Sequence, residues 1–302
     1  MNTTGLQIPA ARQGPGPISA PLIEVLDVAV NRLVARTLPG DRRAAGVGVG
    51  TELAQLRPYE IGDDVRHIDP AATARTGQPH VRLHVPERAL TTWIVLDVSP
   101  SMAFGTERRL KADVAEGVAV VFGRLGVRRA GSVGLVTFGA PAPRVLPPRG
   151  SKPGMVALRR ALADGVAVDG HHVPEGLAGG LRRVARLARQ PGLVVVASDF
   201  RDQRGWERPL GGLRVRHSVL AVEIGDPREA EVPALGHLAL VDPETGARVE
   251  VDTTRRRVRE LFAELERERR ESVAAELRRL RIHHVTLSTA DMWLVELGRQ
   301  LR

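Results

Sequence analysis

Apolar residues at three- and four-residue steps, Leu22, Val25, Leu26, Ala29, Leu33 and Val34, describe one face of a helix between Pro21 and Leu38, which Pro39 and Gly40 end. From Thr91 the texture changes. Short runs rich in Val, Ile and Leu (TTWIVLD, SVGLVTF, LVVVAS, HSVLAVEI and HHVTLS) alternate with helical patterns at 108–125, 152–163, 175–189 and 253–280. The runs are continuously apolar, as strands covered on both faces are. This alternation predicts an α/β fold: a doubly wound, mainly parallel, Rossmann-like sheet covered by helices. After HSVLAVEI, the runs LALVD and ARVEV flank the turn-rich PETG, which predicts a hairpin insertion near 225–252. The stretch 46–88, rich in Gly and Pro with the short run HVRLHV, reads as a separate region with a few strands. The expected organisation is a flexible tail over 1–20, an N-terminal helix and Gly/Pro-rich region over 21–90, and an α/β domain over 91–302.

Composition narrows the chemistry. The 302 residues contain no cysteine, which removes disulfides, thiolate metal sites and cysteine nucleophiles. The net charge is +9, and because Lys111 and Lys152 are the only lysines, the basic charge is almost wholly arginine. Nucleic-acid binding is the alternative this raises, but aromatics make up only 3% of the chain, so stacking platforms for bases are scarce. The most apolar stretches are cut by Asp97, Glu116 or Arg124, so no membrane span is expected. The start of the chain lacks the pattern of a signal peptide, and the expected location is cytoplasmic.

The sharpest local signal is Asp97-Val98-Ser99-Pro100-Ser101, directly after TTWIVL. Ligands of open parallel sheets bind beyond the carboxyl ends of strands, where this loop would lie. LVVVAS likewise ends in Asp199, whose strand end would open on the same side. A carboxylate and two hydroxyls are hard oxygen donors suited to Mg²⁺ or Mn²⁺. Asp97, Ser99, Ser101 and Asp199 therefore form a candidate hard-cation site. The competing reading is that both aspartates cap the helices that follow them.

Other candidates read as structural. Asp63, Asp64, Arg66, His67 and Asp69 surround a turn with Arg57 nearby, a pattern typical of surface ion pairs. His171-His172 lacks a third nitrogen ligand, and His283-His284 opens a strand, where neighbours face opposite sides. GVGVG has no Gly-Lys-Ser/Thr and no clear helix after it, which argues against a phosphate loop. A metal-dependent hydrolase is the enzymatic alternative, but Ser99 lies in no Gly-x-Ser-x-Gly elbow and no base can be assigned to it.

Strand, Asp-x-Ser-x-Ser, then Ser-Asp at a later strand end resembles the von Willebrand factor A domain and its metal-ion-dependent adhesion site. The upstream run GVGVGTELAQLRPYEIGDDVRHIDPAATARTGQPHVR, with DVSPSMAFGT, VLPPRG, VVVASDFRD and VDPETGARVEVDT, resembles the bacterial family called domain of unknown function 58 from about Leu38 to the C-terminus. By that resemblance Asp97, Ser99 and Ser101 match the first metal loop and Asp199 the last. In the middle loop the usual threonine is replaced by Glu175, which would add a third negative charge and leave the site altered or self-closed. At His67-Ile68-Asp69-Pro70 the family's tryptophan is replaced by Pro70. The resemblance implies a non-enzymatic protein-binding or assembly module with Mg²⁺ or Mn²⁺, weakly held or absent. It also implies partnership with a MoxR-type AAA+ ATPase in the maturation of other proteins.

Overall fold

The computed structural model describes residues 6–37, 52–61, 63–85, 90–170, 176–202 and 205–302. They belong to two compact units, one comprising 1–39 and 90–302, the other 40–89. In chain order the elements are β1 (Leu6–Gln7), α1 (Ala20–Thr37), β2 (Glu52–Pro58), α2 (Pro70–Thr76), β3 (His80–Val85), β4 (Thr91–Asp97), α3 (Lys111–Val127), β5 (Ser132–Phe138), β6 (Val145–Gly150) and α4 (Ser151–Leu162). There follow β7 (Val166–Ala167), α5 (Gly176–Leu187), β8 (Leu193–Ser198), α6 (Glu207–Arg214), β9 (Ser218–Gly225), β10 (His237–Val241), β11 (Arg248–Asp252), α7 (Arg256–Arg279), β12 (His283–Ser288) and α8 (Trp293–Gln300).

The larger unit is a doubly wound α/β fold. Its sheet runs β12-β9-β8-β4-β5-β6, parallel except for β6. Successive strand residues face opposite sides, so each strand feeds two cores. Ile94, Leu96, Leu135 and Val195 pack with Val118 and Phe122 of α3 and with apolar residues of α1, α4 and α8. Trp93, Val95, Val136 and Val196 pack with Leu177 and Leu181 of α5 and with apolar residues of α6 and α7. Burial on both faces explains why these strands are continuously apolar.

The edge strand β6, the VLPPRG segment, contains Pro147 and Pro148, and the pairing with β5 shifts register between Val133 and Leu135. Prolines donate no ladder hydrogen bond, which confines such a strand to the edge. The expected hairpin is present, β10 pairing antiparallel with β11. Among the described residues, no helix is long and apolar enough to cross a membrane.

The described part of the N-terminal segment differs from the expected flexible tail. Leu6 and Gln7 pair with β7, the Gln13 and Gly14 amides donate to Asp113, and Trp293 Nε1 donates to Pro15 O at 2.9 Å. The cause lies in α3, whose buried Asp113 needs donors that a free tail would not provide. Helix α1 likewise belongs to the larger unit, so the compact units divide at 39/40 and 89/90, with the helix apart from the Gly/Pro-rich region it was expected to join.

In the smaller unit β2 and β3 form an antiparallel pair. Asp69 caps α2, accepting from the Ala72 amide at 2.8 Å, and Pro70 starts the helix, where its missing N–H costs nothing. Arg57 pairs with Asp63 and Arg66 with Asp64, each at 2.7 Å. These charges have the structural roles expected of them.

Candidate functional site

The chain leaves β4 toward β5 on one side, while β8 lies on the other side of β4. The crevice at their carboxyl ends is therefore the topological switch point of the sheet. Asp97 ends β4 and Asp199 follows β8, so the two parallel strands open on the same rim.

Register sets the first contact. Leu96 lies opposite Ala197, which puts Asp97 beside Ser198, and Ser198 Oγ donates to Asp97 Oδ2 at 2.5 Å. The Ser99 amide donates to Asp97 Oδ1 at 2.9 Å. Ser99 Oγ lies 3.1 Å from Ser101 Oγ, and Ser101 Oγ donates to Asp199 Oδ2 at 2.9 Å. All four expected residues, Asp97, Ser99, Ser101 and Asp199, are buried and in one hydrogen-bonded cluster. The Asp97 oxygens accept from Ser198 Oγ and the Ser99 amide, those of Asp199 from Ser101 Oγ, Lys111 Nζ and the Arg201 amide, and neither aspartate caps α3 or α6. Glu175 and His171-His172 lie outside the described residues.

Two backbone features hold the loops in place. Gly139, at φ +84°, packs against the serine loop so closely that a Cβ there would lie 2.6 Å from Ser99 Cβ. Phe200 has φ +52°, an uncommon conformation for a bulky residue. It is buried in edge-on contact with Trp206, and Arg269 of α7 donates to the Asp199 and Phe200 carbonyls at 3.3 Å each. The Asp202 carboxylate accepts from the Leu177 amide at the start of α5, which ties the loop after β8 to that helix.

The two aspartates have opposite electrostatics. Burial, reinforced by the charge of Asp199, pushes Asp97 up to about 7. Among the described residues no cationic side chain pairs with it. Burial would also raise Asp199, but the Lys111 ammonium outweighs it and holds Asp199 down at about 2. Lys111 Nζ lies 2.7 Å from Asp199 Oδ2 and 2.5 Å from Glu229 Oε1. Burial works against the charge of Lys111, yet these two carboxylates raise it above its ordinary value. Arg201 extends the network to Glu229 and Glu266, at 3.2 and 2.9 Å.

A third carboxylate arrives from the hairpin. Glu244, between β10 and β11, accepts from the Ser101 amide at 3.2 Å through Oε1 and lies against the Ser99 and Ser101 hydroxyls. Burial, with the Asp199 charge, raises its carboxyl above the usual range. Lys111, Ser198, Glu229 and Glu244 were not among the sequence candidates. Lys111 carried a signal as one of two lysines in an arginine-dominated chain. Glu244 carried the PETG turn, but nothing in the sequence shows where the hairpin tip folds back.

The donor set fits a hard divalent cation. The donors are two aspartate carboxylates and two serine hydroxyls, all oxygen, and the hydroxyl spacing of 3.1 Å is close to the edge of an octahedron of Mg–O bonds of about 2.1 Å. Among the described residues no three His, Asp or Glu side chains converge as a ligand set, so any such site depends on the hydroxyls. The expected separation of the two histidines of β12 holds: His284 Nε2 meets Glu223 at 3.0 Å and His283 Nε2 meets Gln300 O at 3.2 Å.

Among solved structures, BatB from Bacteroides thetaiotaomicron is 13% identical, with a TM-score of 0.43 over 70% of this chain and 97% of that one. The SpRpn10 VWA domain is 16% identical, with a TM-score of 0.37 over 70% of this chain and 95% of that one. Uncharacterized protein Rv1480 of Mycobacterium tuberculosis is 34% identical over 292 residues, covering 94% of this chain and 89% of the relative. Uncharacterized protein MAV169 of Mycobacterium avium is 36% identical over 130 residues, covering 42% of this chain and 76% of the relative. Residues 55–272 match the family described as protein of unknown function DUF58. With that match spanning both compact units and the DxSxS and Ser-Asp loops, the chain belongs to the DUF58 family.

Proposed function

We propose that the protein is a non-enzymatic binding module that recognises a protein partner through a hard divalent cation, Mg²⁺ or Mn²⁺, held at the switch point of the sheet. Asp97, Ser99 and Ser101 would hold the ion, with Asp199 behind them. One observation carries this reading: Asp97 is a buried carboxylate with no cationic partner among the described residues, beside two hydroxyls 3.1 Å apart. A buried, unpaired carboxylate is costly, so a retained one marks a place where an external cation is stabilised. Bound there, the ion would supply positive charge that an acidic side chain of a partner can share.

The protein's own groups prepare that surface. Ser198 and the Ser99 amide orient Asp97, while Lys111 neutralises Asp199 and leaves Asp97 as the unbalanced charge. The proposed partner is a MoxR-type AAA+ ATPase, acting with this protein in the cytoplasm in the maturation of other proteins. The test is retention of that ATPase on the immobilised protein with Mg²⁺ and with chelator. The reading predicts retention that is lost with chelator and in Asp97→Ala, with the circular dichroism spectrum unchanged. Retention that survives both would overturn it.

A further inference from the structure

The hairpin β10–β11 is an arm. Its strands pair with each other and with no strand of the main sheet, and most of their residues are exposed. Its base is fastened by Thr253, whose amide and hydroxyl both donate to Gly236 O at 2.8 Å. Its tip is preformed. The Gly246 amide donates to Asp242 O at 2.8 Å, while the Asp242 side chain accepts from the Glu244 amide at 3.0 Å and the Thr245 hydroxyl at 2.6 Å. A turn closed by its own hydrogen bonds keeps its shape whether or not it touches the body of the protein.

This tip reaches the switch point. Glu244 Oε1 accepts the Ser101 amide at 3.2 Å, and Pro243 O accepts the Gly170 amide at 2.9 Å. Glu244 is therefore a carboxylate on a turn, delivered by an exposed arm to the two serine hydroxyls. We propose that Glu244 is a built-in occupant of the partner's place, and that the site takes an acidic side chain from another protein when the hairpin tip lifts away. The inference rests on the carboxylate-binding reading above and adds to it both the gate and the form of the ligand, an acidic residue on a tight turn.

The body residues that face Glu244 agree with this. Ser99 and Ser101 offer hydroxyls and the Ser101 amide, and the neighbouring charge of Asp199 is itself neutralised by Lys111. A carboxylate can therefore sit here without an arginine or lysine of its own. The hydrogen bonds that hold the tip, from the Ser101 amide and the Ser99 and Ser101 hydroxyls to Glu244 and from the Gly170 amide to Pro243 O, are of a kind that water can replace when the arm opens.

The probe is a fluorescent cyclic peptide carrying Asp-Pro-Glu-Thr-Gly, titrated against the wild type and Glu244→Ala, each in Mg²⁺ and in chelator. The inference predicts at least tenfold tighter peptide binding by Glu244→Ala than by the wild type. Equal, chelator-sensitive binding by wild type and Glu244→Ala would overturn the gate and leave the metal-bridged reading standing. Peptide bound by none of the proteins at millimolar concentration, or bound equally in chelator, would overturn both.

Discussion

The Lys111 ammonium nitrogen lies 2.7 Å from Asp199 Oδ2 and 2.5 Å from Glu229 Oε1, and its side chain is fully buried. Among the described residues Lys111 is the fully buried cation of the cluster, and it pairs with Asp199 and not with Asp97. This asymmetry is what divides the labour between the two aspartates: Asp199 is a balanced structural charge and Asp97 an unbalanced one.

Removing that lysine leaves the buried Asp199 carboxylate beside the part-buried Glu229 without their shared cation. Lys111→Met is expected to destabilise the protein by about 3–5 kcal/mol, the usual cost of breaking a buried pair from one side. The double variant Lys111→Met/Asp199→Asn is expected to recover part of that loss. Denaturant unfolding checks both, and equal stability of the two variants would show that Asp199 is not left as an uncompensated charge when the lysine is removed.

Asp97 behaves oppositely. Its folded value near 7 lies above the unfolded value of 3.8, so it contributes stability below about pH 4 that is lost as pH rises toward 7. In chelator at pH 8, Asp97→Asn is therefore expected to be more stable than the wild type by about 1–4 kcal/mol, a tenfold difference in proton affinity being worth ~1.4 kcal/mol. Urea midpoints read this directly. A destabilised variant would assign Asp97 a structural role instead.

Much of this was legible from the chain. The runs TTWIVLD, SVGLVTF, LVVVAS and HHVTLS coincide with β4, β5, β8 and β12, because strands buried on both faces leave little choice of residue. Asp97 and Asp199 could be placed on one rim because parallel neighbours share a direction. Strand β6 and helices α6 and α8 were not predicted: the two prolines of β6 mask a strand that only an edge tolerates, and α6 and α8 have eight residues each, too few for a clear period. The contacts of Lys111, Glu229 and Glu244 are long-range, and no local pattern encodes them. Glu244 reaches Ser101 across 143 positions of sequence.

His217 offers a separate check by pH. It is buried, its Nδ1 has no hydrogen-bond partner among the described residues, and burial followed by the nearby Arg216 lowers its value below 6.5. The native state holds it neutral while the unfolded chain takes up a proton. Its contribution is therefore present above pH 6.5 and lost as pH falls through the lower folded value. The fall in urea midpoint between pH 7.5 and 5 is expected to be smaller in His217→Phe than in the wild type. An unchanged fall would remove His217 from the account.

The central claim is that Asp97, with the hydroxyls of Ser99 and Ser101, forms a place for a hard divalent cation. Calorimetric titration with Mg²⁺ at pH 8, on the wild type and on Asp97→Asn, tests it most directly. The account predicts saturable one-to-one binding by the wild type, lowered at least tenfold in the variant although the variant is folded. Absence of binding by the wild type, or binding of equal strength by both, would contradict it.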